Sequence, residues 1–126
     1  MSAVKDLITL EKDARAYGFD WSDYEMILAQ VIDECREIKE AINDGESKER
    51  VQEEIGDLLH TAISLCMFLE FDVEETLYKI SIKFAKRMEA VKTLTRKHNL
   101  PNLQGQSTEF LLKLWKEAKE TAKEKY

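Results

Sequence analysis

Residues that break helices are scarce in this chain, and their scarcity strongly restricts its possible folds. One proline and four glycines occur in 126 residues, and the proline is Pro101. Proline and glycine disfavour a helix interior more than any other residues, so long helices can run almost uninterrupted. Between these positions, apolar residues recur every three or four places, which is typical of helices that bury one face. The sequence therefore predicts an all-α fold.

We predict about five helices, packed antiparallel as a bundle because the connections are short. The first helix is predicted over Val4–Tyr17 and ends at Gly18. Capping boxes, Ser22 with Glu25 and Asp72 with Glu75, begin the second helix and the fourth, which runs toward Lys97. The predicted N-caps of the third and fifth helices are Ser47 and Ser107 or Thr108. The predicted core-facing residues are Ile27, Leu28, Val31, Cys35, Ile38 and Ile42 on the second helix, and Val51, Ile55, Leu58, Leu59, Ala62, Cys66 and Leu69 on the third.

The length fits one domain over residues 1–126. We expect its core to lie in residues 18–119 and a charged tail, residues 120–126, to fray.

Charge and hydropathy exclude several classes of function. The net charge is −6, and the lysines and arginines are mixed with acids, so a binding stripe for a nucleic-acid polymer is not expected. No apolar run approaches the roughly 20 residues that span a bilayer, so we expect no membrane partner. Cys35 and Cys66 each stand alone within an apolar pattern, which favours small buried side chains in a reducing, cytoplasmic setting.

Acidic pairs on two consecutive helices are the strongest candidates for chemistry. Glu34 and Glu37 are spaced i, i+3, and Glu54 and Asp57 repeat that spacing, with Glu53 beside them. If these helices form a hairpin, the pairs face each other at the rim of the core. Close carboxylates repel and raise one another's pKa, and Mg²⁺ relieves that repulsion because it prefers oxygen ligands. Acids on helices more often only solvate a face, so the competing interpretation is a charged surface.

A basic group on the fourth helix could balance those acids. Lys83, Lys86 and Arg87 surround Phe84, and Lys83 and Arg87 share one face. Such cations can hold phosphates and stabilise charge that develops in a transition state. The alternative is a solvated basic face.

Four sequence blocks, taken in order, resemble the MazG family, and the closest likeness is to its C-terminal, catalytic-type domain. The family pattern is E-x-x-E, a spacer, then E-x-x-D, with flanking motifs. The matching blocks are Gly18-Phe19-Asp20-Trp21, Glu34-Cys35-Arg36-Glu37 with Glu53-Glu54-Ile55-Gly56-Asp57-Leu58-Leu59, Lys83-Phe84-Ala85-Lys86-Arg87, and Leu114-Trp115-Lys116-Glu117-Ala118-Lys119.

The resemblance implies an oligomeric all-α nucleoside triphosphate pyrophosphohydrolase, a homodimer or homotetramer, that releases pyrophosphate by water attack at the α-phosphorus. It implies Mg²⁺ as cofactor, with Mn²⁺ as a substitute. The implied metal ligands are Glu34, Glu37, Glu54 and Asp57. Glu53 would support that shell or polarise water, and Lys83, Arg87 and, less directly, Arg50 would contact the nucleotide's phosphates.

Two positions depart from the family pattern. Ser81 stands where the family usually has Asn, and a hydroxyl replaces only part of an amide's hydrogen bonding. His60 stands where the family usually has Phe. Ser81 keeps open a non-catalytic module that binds nucleotide without turnover.

A second alternative is a di-metal carboxylate bundle. Asp57 and His60 form a D-x-x-H, which is similar to the E-x-x-H motifs of di-iron helical bundles. Such sites use two of these motifs, whereas this chain has one.

Aromatic side chains are candidates for stacking on a base. Trp21, Tyr78, Phe84 and Trp115 could serve, although aromatics at helical spacing more often belong to a core.

Overall fold

A computed structural model describes residues 2–123, and across this range the chain forms five α-helices and no strand. The helices are α1 (Ala3–Tyr17), α2 (Tyr24–Asn43), α3 (Lys48–Phe68), α4 (Val73–Lys97) and α5 (Thr108–Lys123). The predicted all-α class and helix number are confirmed. None of the helices in this range has the length and hydropathy that a membrane span requires.

Local capping determines where the helices begin and end. Gly18 adopts a left-handed conformation with φ 105° and closes α1 through its backbone N–H, as predicted. Ser47, Asp72 and Ser107 each accept a backbone N–H three residues ahead, so these predicted caps are confirmed. The predicted Ser22 cap is wrong by one residue. Asp23 caps α2 by accepting the N–H of Met26 at 2.8 Å, because its carboxylate is a stronger acceptor at a helix N-terminus.

Two compact units divide the chain, Met1–Thr76 and Leu77–Tyr126, and the boundary falls in the first turns of α4. The first unit contains α1, α2 and α3, and the second contains most of α4 together with α5. The prediction of one domain over residues 1–126 stays a prediction.

Within the first unit, α2 and α3 pack against each other as a hairpin, and α1 contacts α3. The hairpin interior is unexpectedly polar, because Glu34, Glu54, Thr61 and Ser64 are buried there beside Ile27.

The predicted core-facing stripes are therefore largely wrong. Of the predicted α2 residues, only Ile27 is buried, and Leu28 and Ile42 are exposed. None of the predicted α3 residues is buried, and Ile55 and Leu59 are exposed. Cys66 is half-buried, whereas Cys35 is exposed, which contradicts the prediction that both thiols are buried. The helices turn their acidic faces toward each other and leave most of their apolar faces uncovered within one chain.

A polar network holds α1 on α3. The Glu11 carboxylate accepts hydrogen bonds from the Ser64 hydroxyl at 2.8 Å and from Arg15 Nε at 2.9 Å, and it meets His60 Nε2 at 2.9 Å. Arg15 also donates to the Ser64 carbonyl at 2.8 Å, and its guanidinium lies over the Phe68 ring. Burial alone would raise the pKa of Glu11, but these hydrogen bonds and the Arg15 charge outweigh it and lower the pKa.

The second unit has a conventional apolar core. Ala90 and Val91 of α4 pack with Leu114 and Ala118 of α5, and Trp115 and other half-buried side chains surround them. The helix α5 extends to Lys123 with Ala122 buried. Residues 120–123 are therefore helical where the sequence predicted a frayed tail, because Ala122 continues the apolar face of α5. Residues 124–126 of that tail lie outside the described residues.

Candidate functional site

Acidic side chains from α2 and α3 converge inside the hairpin. One carboxylate oxygen from each of Glu34, Glu54 and Asp57 can be chosen so that all three lie within 4.8 Å of one another. Glu34 is 6% exposed and Glu54 is 3% exposed, whereas Asp57 is exposed at the edge of the group. The i, i+3 spacing of Glu54 and Asp57 places them on one face of α3, opposite Glu34 on α2. We call these three residues the acidic cluster.

Two buried oxygens of this cluster lack a hydrogen-bond donor. Oε2 of Glu34 and Oε2 of Glu54 have no partner within the described structure. A buried carboxylate oxygen without a donor is costly, by several kcal/mol for an unpaired ion. A divalent cation would satisfy both atoms at once, and the all-oxygen donor set fits Mg²⁺ or Mn²⁺.

Glu37 lies beside the cluster. A hydrogen bond shared with Glu54, some desolvation and the negative charges of Glu34, Glu54 and Asp33 raise the pKa of Glu37. When the Glu37 and Glu54 carboxylates are both ionised, they repel each other, and a cation or a proton between them relieves that repulsion. The structure thus brings carboxylate oxygens of three of the four predicted ligands within 4.8 Å of one another, close enough to share one cation, and places Glu37 next to them.

Arg50 supplies a positive charge at the cluster's edge. Its guanidinium lies 2.5 Å from Glu54 Oε1 and 3.2 Å from Glu53 Oε2. The hydrogen bond to Glu53 and the charge of Glu54 raise the pKa of Arg50. Glu53 itself is exposed and reaches the cluster through Arg50.

Gln30 was missed by the sequence analysis. Its Nε2 donates to Glu34 Oε1 at 2.6 Å and so fixes the orientation of a buried carboxylate. The signal was present in the i, i+4 spacing of Gln30 and Glu34 on α2, since residues four apart on a helix are neighbours.

The predicted phosphate contacts on α4 belong to the second unit. Lys83 and Arg87 line a cavity of about 640 Å³ with Lys79 of α4 and Lys119 and Lys123 of α5. Arg87 also lies over the Trp115 ring, 5.7 Å from its centroid. Lys119 belongs to the block that resembles L-W-x-E-A-K and was not among the predicted site residues. Ser81 is exposed and lines a smaller cavity with Phe84 and Arg87.

His60 contacts Glu11 and not the acidic cluster. Among the described residues, the group that could hold a metal therefore contains carboxylates and no histidine. Di-iron bundles of the two-motif kind use histidine ligands as well, so this geometry does not support the di-metal alternative.

Residues 22–92 match the family model described as MazG nucleotide pyrophosphohydrolase domain. The chain is 34% identical over 110 residues to a Thermotoga maritima protein named nucleoside triphosphate pyrophosphohydrolase/pyrophosphatase MazG, covering 87% of this chain and 41% of that protein. It is 27% identical over 114 residues to the Escherichia coli K12 nucleoside triphosphate pyrophosphohydrolase, covering 87% of this chain and 42% of that protein. The chain thus spans about two fifths of the length of these relatives.

Proposed function

Since the chain belongs to the MazG nucleotide pyrophosphohydrolase family, we propose that it hydrolyses nucleoside triphosphates to the monophosphate and pyrophosphate. The observation that carries the proposal is the acidic cluster, where Glu34 and Glu54 are buried with unpaired oxygens. In a chain of net charge −6, a cation held by this cluster would bridge its carboxylates to a polyanionic substrate.

Glu34, Glu54 and Asp57 are the proposed metal ligands, with Glu37 joining them from its adjacent position. Gln30 holds Glu34 in place. Mg²⁺, when bound, supplies positive charge for the phosphate oxygens and activates water for attack.

The chain's own residues have distinct proposed roles in the reaction. Water attacks the α-phosphorus, the bond from that phosphorus to the bridging oxygen breaks, and pyrophosphate leaves. Glu53 supports the metal shell through Arg50 or accepts the proton of the attacking water. Lys83 and Arg87 neutralise the pyrophosphate charge, and Arg50 is a further phosphate contact.

A pyrophosphate-release assay with Mg²⁺, run over the common ribo- and deoxyribonucleoside triphosphates, tests the proposal beside Glu54→Gln. That variant keeps the side-chain shape and removes one ligand charge. Because the metal contributes several kcal/mol to transition-state stabilisation, kcat should fall at least about 100-fold. Titration calorimetry with Mg²⁺ or Mn²⁺ should show weaker binding.

Glu40→Gln, an exposed acid on the same helix as Glu34, is the matched control and should keep full activity. Folded wild-type protein that releases no pyrophosphate from any substrate, while nucleotide and metal raise its melting temperature, would contradict the enzyme and favour a non-catalytic binding module.

The exposed apolar faces of the hairpin support a homodimer or homotetramer as the active form. Free Cys35 and Cys66 fit a reducing compartment, which supports a cytoplasmic location.

A further inference from the structure

The cavity of about 640 Å³ in the second unit is lined by two regular rows of cations. Residues four apart on a helix lie on one face, and both rows follow that spacing. The α4 row is Lys79, Lys83 and Arg87, and the α5 row is Lys119 and Lys123. Trp115 precedes the α5 row by one more step of four residues and contacts Arg87. We call this cavity the cationic groove.

The two rows run in opposite directions. The ring of His98, just after α4, lies 5.3 Å from the ring of Phe110 near the start of α5. Farther back along α4, the Arg87 guanidinium lies 5.7 Å from the Trp115 ring centroid. Going back along α4 therefore corresponds to going forward along α5. The order along the groove is Arg87 with Trp115, Lys83 with Lys119, and Lys79 with Lys123.

Acids do little to neutralise these cations. Glu120 is the one acid among the described residues that line the groove. No ion pair within the described part of the chain involves Lys83, Lys119 or Lys123. Cations gathered at one cavity repel each other, and a bound anion relieves that repulsion. The groove is therefore suited to an anion that carries several charges.

Arg87 is fixed at one end of the groove without losing its charge. Its guanidinium lies over the Trp115 ring, and such a contact leaves the N–H donors at the guanidinium edge able to bind oxygen. The Trp115 ring also meets Phe84, with 6.1 Å between the ring centroids. Both contacts occupy aromatic surface that a nucleic-acid base would need for stacking. The groove therefore suits a chain of phosphates without bases better than a single-stranded nucleic acid.

We propose that the cationic groove binds linear inorganic polyphosphate without a metal ion. The α4 row places a cation about every 6 Å over about 12 Å, which suits a chain that carries negative charge on every phosphate. Lys119 and Lys123 extend the site beyond Lys83 and Arg87, the two residues that the proposed function assigns to pyrophosphate. The binding requires neither the acidic cluster nor turnover.

Calorimetry with the full chain in EDTA tests this site in the absence of metal and of hydrolysis. The probes are pyrophosphate, tripolyphosphate and tetrapolyphosphate. The affinity should rise with each added phosphate, because a longer chain reaches more cations of the two rows. No binding of tetrapolyphosphate, or equal affinity for all three probes, would overturn the proposal.

Two variants on α5 locate the binding. Lys119→Gln and Lys123→Gln should each lower the affinity for tetrapolyphosphate about tenfold, because a charge-assisted hydrogen bond contributes that much. Both side chains are exposed, so the fold should be kept. Lys113→Gln is the matched control, since Lys113 is an exposed lysine of α5 outside the groove. An equal loss of affinity in Lys113→Gln would reduce the effect to net charge and refute the groove.

Fluorescence gives a second readout at the Arg87 end of the groove. Trp21 and Trp115 are the two tryptophans of the chain, so Trp21→Phe leaves Trp115 as the reporter. Tetrapolyphosphate in EDTA should change the Trp115 emission saturably, with the dissociation constant that calorimetry gives. Calorimetric binding without any change in Trp115 emission would place the polyphosphate elsewhere and contradict the proposal.

Other polyanions and the hydrolysis assay complete the test. Oligothymidylate and polyglutamate of matched charge should bind more weakly than polyphosphate, and equal binding would overturn the choice of a phosphate chain. If the wild type binds tetrapolyphosphate in EDTA but releases no pyrophosphate from nucleotides, the proposed reaction fails and the groove stands. If it hydrolyses nucleotides but does not bind tetrapolyphosphate in EDTA, the groove fails and the reaction stands.

Discussion

Glu54 combines burial with charge, and its neighbours determine how that combination is tolerated. Its side chain is 4% exposed, and Arg50 is the cation that contacts it. Glu37 and the cluster acids are the other charges nearby. A buried carboxylate needs a counter-charge. Arg50 therefore neutralises the charge of Glu54 in the metal-free protein, and a bound cation would neutralise much of it when present.

Arg50→Gln tests whether Arg50 neutralises Glu54 when no metal is bound. Removing the guanidinium leaves Glu54 among acids only, so the melting temperature in EDTA should fall by a few degrees. Saturating Mg²⁺ should restore most of the loss, and the Mg²⁺-induced rise should exceed that of the wild type. Differential scanning fluorimetry measures both temperatures.

Arg36→Gln is the control for Arg50→Gln, because Arg36 forms an exposed ion pair with Asp33. It should change neither temperature by more than about a degree, as expected for a surface pair. An Arg50→Gln protein as stable as the wild type in EDTA would show that Glu54 is not balanced by Arg50.

Glu11 predicts a dependence of stability on pH. Its pKa is lowered in the folded chain, so its stabilising contribution is present above the ordinary glutamate pKa and is lost as pH falls through the lowered value. Glu11→Gln should therefore reduce the free energy of unfolding by about 1.5–3 kcal/mol at pH 7, the usual contribution of hydrogen bonds to a charged group.

Urea denaturation of the wild type and Glu11→Gln at several pH values measures that difference. The gap between the two proteins should narrow once the pH falls below the ordinary glutamate pKa. Asp13→Asn, an exposed acid on the same helix, should show no such gap. A gap that stayed constant down to pH 3 would mean that the network acts by shape and not by charge.

At the scale of the helices, the two units use opposite strategies. The α2–α3 hairpin buries two acids, a threonine and a serine beside Ile27 and Ala41, whereas α4 and α5 of the second unit pack alanines, Val91 and Leu114 together. A polar interior contributes less to stability than an apolar one of equal size. The acidic cluster therefore lowers the stability that the hairpin interior provides, while apolar packing between α4 and α5 stabilises the second unit.

Lys83, on the cationic face of α4, is a proposed contact of the nucleotide's phosphates. Lys83→Gln should raise KM for the nucleotide about tenfold or more, because a charge-assisted hydrogen bond contributes about 1.5–3 kcal/mol. The melting temperature should be unchanged, since the Lys83 side chain is exposed. Steady-state pyrophosphate release gives KM and kcat.

Lys97→Gln, in the last turn of the same helix, is the control for Lys83 and should keep the wild-type KM. An unchanged KM for Lys83→Gln would remove Lys83 from the proposed phosphate contacts.

For the whole molecule, uncovered apolar surface is the dominant feature. Within the first unit alone, Leu10, Phe19, Ile32, Leu59 and Phe71 are each more than 60% exposed. Single exposed apolar residues are ordinary, but five large ones in one small unit support the proposed oligomer, in which another chain would cover them.

We expect the purified protein to be a dimer or tetramer by light scattering, and Ile32→Glu to weaken that assembly. Each large aliphatic side chain contributes about 1.5–3 kcal/mol when buried, so the dissociation constant should rise at least about tenfold. Lys39→Glu, an exposed change of charge on the same helix, should leave the mass unchanged. A wild-type chain that is monomeric at micromolar concentration would contradict the proposed assembly.

The helices were predictable from the sequence, because the signals that specify them are local. Few breakers, apolar spacing and caps such as Ser47 and Asp72 act over three or four residues, and they predicted five helices and nearly all their ends. The i, i+3 acidic pairs were equally visible, since that spacing alone puts both side chains of a pair on one helix face.

Which face of each helix is buried depends on how the helices pack, and the sequence did not predict it. Periodicity shows that α2 and α3 have an apolar face and an acidic face, but it cannot say which one meets the neighbouring helix. The structure turns Glu34 and Glu54 inward and leaves Ile32 and Leu59 outside. Contacts across many residues, such as Glu11 with Ser64, likewise depend on the packing of α1 on α3, which no local rule of spacing specifies.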